Sequence, residues 1–139
     1  MRLFLDANIL FTAAHNPHGK AALVIEIGRS GIWQLATSAY AAEEARRNIA
    51  RKYPACLDRL EALLVDIGRV AEVSAEVQIA GPEGLEEKDV PIFCAALACR
   101  ADVLLTGELR DFGFLMNAPE KAGGLLIQTV ADFLAGRQG

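Results

Sequence analysis

At 139 residues the chain is long enough to bury the core of one domain of ordinary size. Its 53% apolar content and positive mean hydropathy, with Ala, Leu, Ile and Val in short runs, are those of strands covered on both faces. The net charge of −4, from 14 Lys and Arg against 18 Asp and Glu, argues against a module that holds nucleic acid by charge alone, but not against a site whose acids a bound cation neutralises. Arg, Glu, Gln or Gly interrupts every apolar stretch before it reaches the length of a membrane span. The start, MRLFLDA, lacks the long apolar stretch of a secretory signal, so a cytoplasmic location with no membrane partner is expected. Cys56, Cys94 and Cys99 are odd in number and without zinc-site spacing, and they are read as packing residues.

In chain order, residues 2–5 (RLFL) form an apolar run broken by Asp6, Ala7 and Asn8, which predicts a strand ending at Asp6 and a helical pattern after it. Pro17, His18 and Gly19 mark a loop. Residues 20–29 carry Leu23, Val24 and Ile27 at helical spacing, and Ser30-Gly31 stops that helix. IWQLA at 32–36 reads as the second strand, and Thr37-Ser38 as the cap of a helix over 39–52 that Pro54 ends. Leu57, Leu60, Leu64 and Ile67 give residues 55–67 an apolar face. Residues 69–73 alternate and predict a third strand, followed by a helical turn in SAEVQIA and a loop in GPEGLEE.

Residues 88–100 read as a helix with Pro91 in its first turn, where the missing N–H costs nothing. Strands at 101–106 and 125–129, a short helix at 111–117 and a final helix capped by Thr129 complete the chain. Strands alternating with helices predict a single three-layer α/β/α domain over residues 1–139. Its central parallel sheet would have about five strands. Right-handed crossovers put all strand C-termini on one edge, where such sheets bind ligands.

Acidic residues recur at that edge. Asp6 follows the first strand, Glu44 lies in the helix after the second, Asp89 opens the Ala-rich helix, and Glu108 and Asp111 follow the fourth strand. Asp6 and Asp89 would also serve as helix N-caps, which is compatible with holding a cation because both roles need the ionised carboxylate. Glu44 borders the stripe of Tyr40, Ala41, Ala45 and Ile49 and stacks over Asn48, whereas Glu43 points outward. Carboxylate oxygens of this kind suit Mg²⁺ or Mn²⁺. Asn8, Ser38 and Thr106 sit at post-strand positions suited to orienting those carboxylates.

Arg46, Arg47, Arg51 and Lys52 form either a solvated helix face or a phosphate contact. His15 and His18 straddle a Pro and read as loop residues. No glycine-rich nucleotide-binding motif is present.

Asp6 with Asn8, Glu44 in TSAYAAEEARRNI, Lys88-Asp89 opening an Ala-rich helix, and Thr106-Gly107-Glu108 leading to Asp111-Phe112 together give the chain its likeness. It resembles the PIN-domain ribonucleases, and in particular the VapC-like toxins and related stand-alone PIN proteins of prokaryotes. The resemblance runs over nearly the whole chain. It implies hydrolysis of RNA with Mg²⁺ or Mn²⁺ held by Asp6, Glu44, Asp89 and either Glu108 or Asp111. It also implies homodimerisation, for which the apolar face of residues 55–67 is the candidate surface, and, for a toxin, an antitoxin partner. The alternative is a PIN-like module that binds RNA or protein without catalysis. A phosphoacceptor receiver domain is disfavoured, because strand one offers only Asp6 and no Lys follows the last strand.

Overall fold

The computed structural model describes residues 1–70 and 82–137. Five strands, β1 (Arg2–Leu5), β2 (Gln34–Ser38), β3 (Gly68–Val70), β4 (Val103–Leu105) and β5 (Leu126–Gln128), form one sheet. Its order is β3-β2-β1-β4-β5 and every pair is parallel. The central strands carry Leu3, Phe4, Leu5 and Val103, Leu104, Leu105, all buried, as strands covered on both faces should be. Among the described residues, seven helices flank the sheet: α1 (Ala7–His15), α2 (Lys20–Arg29), α3 (Ala39–Lys52), α4 (Leu57–Val65), α5 (Val90–Ala98), α6 (Leu109–Phe112) and α7 (Val130–Arg137). The result is a PIN-like three-layer α/β/α fold.

From β1 the chain winds one way through β2 to β3, and β4 and β5 then add to the opposite side of β1. The winding reverses between β1 and β4, the kind of seam at which open α/β sheets form a crevice beyond their strand ends. At this edge strands run into helices almost without a loop. Asp6 is the single residue between β1 and α1, and Ser38 ends β2 while its hydroxyl accepts the Ala41 N–H at 3.1 Å to cap α3.

Several element boundaries differ from expectation. β2 begins at Gln34, not Ile32, because pairing with β1 starts at Arg2. Ile32 is exposed, and Trp33 turns inward to donate its indole N–H to the Val24 carbonyl at 3.1 Å. The expected helix at 88–100 is split into a 3₁₀ turn (Glu87–Asp89) and α5, ending before Arg100 at φ +58°. The short helix expected at 111–117 starts two residues earlier, and Gly113–Leu115 continue it as a 3₁₀ turn. The apolar stripe of residues 55–67 is not a free surface: Leu60, Leu63, Leu64 and Ile67 are buried in this chain's own core. Residues 71–73 of the expected third strand and 74–81 of the following segment lie outside the described residues.

Close packing of α2 on β2 generates a test. An added Cβ at Gly28 would stand 2.5 Å from Leu35 Cγ. An exposed helical Gly→Ala normally stabilises by up to about 1 kcal/mol. Gly28→Ala is expected instead to destabilise by about 1–3 kcal/mol through overpacking, read by urea denaturation. A gain in stability would show that α2 does not rest on Leu35 this closely.

Candidate metal centre

The edge beyond the β1–β4 seam is built around Asp6. Its side chain is buried, with Oδ1 accepting the Ala7 N–H at 2.7 Å and Oδ2 accepting the Thr106 hydroxyl at 2.8 Å. Thr106, at the end of β4, also accepts the Glu108 N–H at 3.0 Å, which sets the course of the loop after the strand. Asn8 ties the two segments together, since its Oδ1 accepts the Gly107 N–H at 2.7 Å and its amide lies 3.5 Å from both Asp6 and Thr106.

Asp6, Asn8, Glu44, Asn48, Lys88, Asp89 and Glu108 line one recess of about 50 Å³, room for an ion-sized guest with little more than a water. The recess draws on α1, α3, the turn before α5 and the loop after β4. Helical phase separates the adjacent glutamates: Glu44 faces the recess with Asn48, whereas Glu43 is exposed and pairs with Arg46 at 3.7 Å. Asp89 is buried, and its Oδ2 makes no hydrogen bond among the described residues. Lys88 Nζ stands 3.4 Å from that oxygen as an ion-pair contact.

Glu108 and Asp111 take different places. Glu108 lines the recess, whereas Asp111, which is not among its lining residues, accepts Lys88 Nζ at 2.6 Å. There the carboxylates of Glu86, Asp89 and Asp111 come within 4.8 Å of one another. Glu86 belongs to a stretch read from sequence as loop. Its signal was the Glu-Glu-Lys-Asp run, where the Asp89 N–H reaches back to the Glu86 carbonyl at 2.9 Å. The Tyr40 hydroxyl, donating to the Lys88 carbonyl at 2.8 Å, further anchors this turn to α3. Ser38 acts here by starting α3, and thereby aiming Glu44, through the bond to Ala41.

Other sequence candidates lie elsewhere. His15 stacks on Tyr53, and His18 lines a separate cavity between α2 and α4, so the two do not form a metal pair. Arg46 is engaged by Glu61 at 2.5 Å, while Arg47, Arg51 and Lys52 are exposed. Cys94 is buried, and Cys56 and Cys99 are half-buried.

The electrostatics are those of a site short of positive charge. Burial, then the nearby Glu44 and Asp89, pushes the Asp6 carboxyl up to about 6 despite its bonds from Thr106 and Ala7. Burial, with Asp111 close by, likewise pushes Asp89 up to about 6. Lys88 holds Asp111 below the usual carboxylate range, and its own ammonium is raised by Asp111 in return. An unbonded buried carboxylate oxygen among several acids fits a hard cation with oxygen ligands.

No protein-family model matches the sequence, and no curated protein matches it significantly. Solved structures do match. VapBC2 of Rickettsia felis, bound to a DNA fragment from their promoter, contains a chain of TM-score 0.68 at 17% identity, covering 93% of this chain and 98% of that one. DNA-bound VapBC of Salmonella typhimurium gives 0.67 at 16% identity, over 94% and 98%. VapBC-1 of nontypeable Haemophilus influenzae gives 0.59 at 20%, over 94% and 99%. The likeness is one of fold over nearly the whole chain, and it agrees with the PIN-domain resemblance of the sequence.

The raised Asp6 value carries a stability consequence. Between 3.8 and about 6 the native protein binds more protons at Asp6 than the unfolded chain, so stability from this group is full at low pH and is lost as pH rises through about 6. In chelator, urea denaturation is expected to show lower stability at pH 7.5 than at pH 5. Asp6→Asn should remove part of that slope and gain on the order of 1–3 kcal/mol at pH 7.5. An unchanged slope in the variant would sink this account.

Proposed function

We propose that the protein is a metal-dependent endoribonuclease, with Asp6, Glu44, Asp89 and Glu108 holding Mg²⁺ or Mn²⁺. The observation that carries this reading is the convergence of these four acids on one recess at the β1–β4 seam, with a buried Asp89 oxygen left without a hydrogen bond. The cation, when bound, supplies a water acidified enough to attack phosphorus and positive charge for the phosphate oxygens. The protein's own contribution is positional. Thr106 and the Ala7 N–H fix both oxygens of Asp6, Asn8 locks the loop that carries Glu108, and the α3 cap sets Glu44.

In this reading Asp111 is not the fourth ligand. It holds Lys88, an internal cation beside the Glu86, Asp89 and Asp111 group, from which the ammonium can face a substrate phosphate. A second metal ion there would have to displace Lys88. The fold shared with chains of VapBC assemblies supports a toxin role with an antitoxin partner, and homodimerisation belongs to the same reading.

Asp6→Asn and Asp89→Asn are each expected to abolish RNA cleavage, beyond the roughly 10- to 100-fold loss typical of removing a residue that only supports a ligand. Calorimetric titration with Mn²⁺ should show weaker binding for Glu108→Gln than for Asp111→Asn, and tighter binding for Lys88→Met. The reverse order would make Asp111 the ligand. Mn²⁺ binding without cleavage of varied RNAs by purified protein would favour the non-catalytic module.

A further inference from the structure

We infer that the far ends of α1 and α3 form a stacking site for an unpaired base of single-stranded RNA, next to the acidic recess. The inference rests on the nuclease reading for its choice of ligand, but it stands on different residues. His15, the last residue of α1, stacks on Tyr53, which ends α3, with ring centroids 3.8 Å apart and planes 12° from parallel. Phe11 lies 5.8 Å from Tyr53 and 6.2 Å from His15, and Lys52 Nζ sits 5.7 Å from the Phe11 centroid. His15 and Tyr53 are exposed and Phe11 is half-buried, so the rings present surface to solvent beyond what they cover in each other.

Position decides what this cluster can serve. β1 and β2 are parallel neighbours, and α1 and α3 leave their C-terminal ends and pack side by side. Asn8 in the first turn of α1 and Asn48 on α3 both line the recess. His15 lies seven positions beyond Asn8, about 10 Å along the helix, and Tyr53 five beyond Asn48, about 8 Å. Arg51 bridges the interval by donating to Asn48 Oδ1 at 3.2 Å, and Arg47 and Lys52 flank it, exposed. A track therefore runs from acids that suit a cation, through amides, to cations and rings. Exposed cations for phosphates interleaved with aromatic faces for bases is the chemistry of single-strand binding, and it tolerates sequence because every base has a π-face.

The test measures binding of short labelled oligoadenylate and of the same backbone carrying abasic sites, in Mg²⁺, with Asp6→Asn as the non-cleaving parent. His15→Ala with Tyr53→Ala is expected to weaken oligoadenylate binding about tenfold or more, while His15→Phe and Tyr53→Phe, which keep the rings, retain it. Abasic RNA should bind the parent no better than the double Ala variant. Lys52→Gln should lower the salt dependence by about one contact without abolishing base preference. Equal binding of base-bearing and abasic RNA by the parent, no measurable binding by the parent, or an unchanged double Ala variant would each overturn the inference. Absence of cleavage by the wild type alongside ring-dependent binding would instead remove the nuclease reading and leave this one standing.

Discussion

The hydrogen bond from Thr106 to Asp6 joins the ends of β1 and β4, and the geometry of the acidic edge follows from it. These two strands lie side by side only because the chain reverses its winding at β1. Without that reversal the segment carrying Glu108 would not stand over the start of α1. Thr106 uses one hydroxyl for two tasks, donating to a carboxylate and accepting the Glu108 N–H, so the position of Glu108 is tied to that of Asp6. Val could fill the Thr106 volume but would take the hydroxyl from both partners, leaving Asp6 Oδ2 only the Asn8 amide at 3.5 Å.

Burying such groups works against folding. Asp6 and Asp89 are both pushed up to about 6, chiefly because burial disfavours their charged forms. A core assembled for stability alone would place apolar or neutral residues there. The strain is local, and it is relieved by positive charge. Lys88, which also lines the recess, supplies some of it, held by Asp111 at 2.6 Å and standing 3.4 Å from Asp89. A cation bound there, as proposed, would couple occupancy to stability by mass action.

Much of this was readable from sequence where a single local rule decides. The central strands stand out as unbroken apolar runs, and Asp6 stands out by ending one. Helical phase alone separates Glu44 from Glu43, since only one of two adjacent residues can border the stripe of Ala41, Ala45 and Ile49. Which of Glu108 and Asp111 lines the recess could not be read in this way. It depends on a turn set by the Thr106 hydroxyl and on an ion pair to Lys88, 23 residues away in sequence. Glu86 was hidden for the same reason, because its proximity to Asp111 arises only once two loops meet. The start of β2 failed differently. Ile32 and Trp33 are as apolar as a strand, and only the pairing of Gln34 with Arg2 shows that they precede it.

The charge balance, which at first argues against a nucleic-acid ligand, looks different once the acids are located. Asp6, Glu44, Glu86, Asp89, Glu108 and Asp111 gather around Lys88, which leaves thirteen basic and twelve acidic residues for the rest of the chain. The whole negative excess of −4 therefore belongs to one edge of the sheet. A divalent cation at that edge would neutralise part of it, and the surface a phosphate chain then meets is set by exposed groups such as Arg47, Arg51 and Lys52. The acidic isoelectric point describes that cluster of acids more than it describes the face around it.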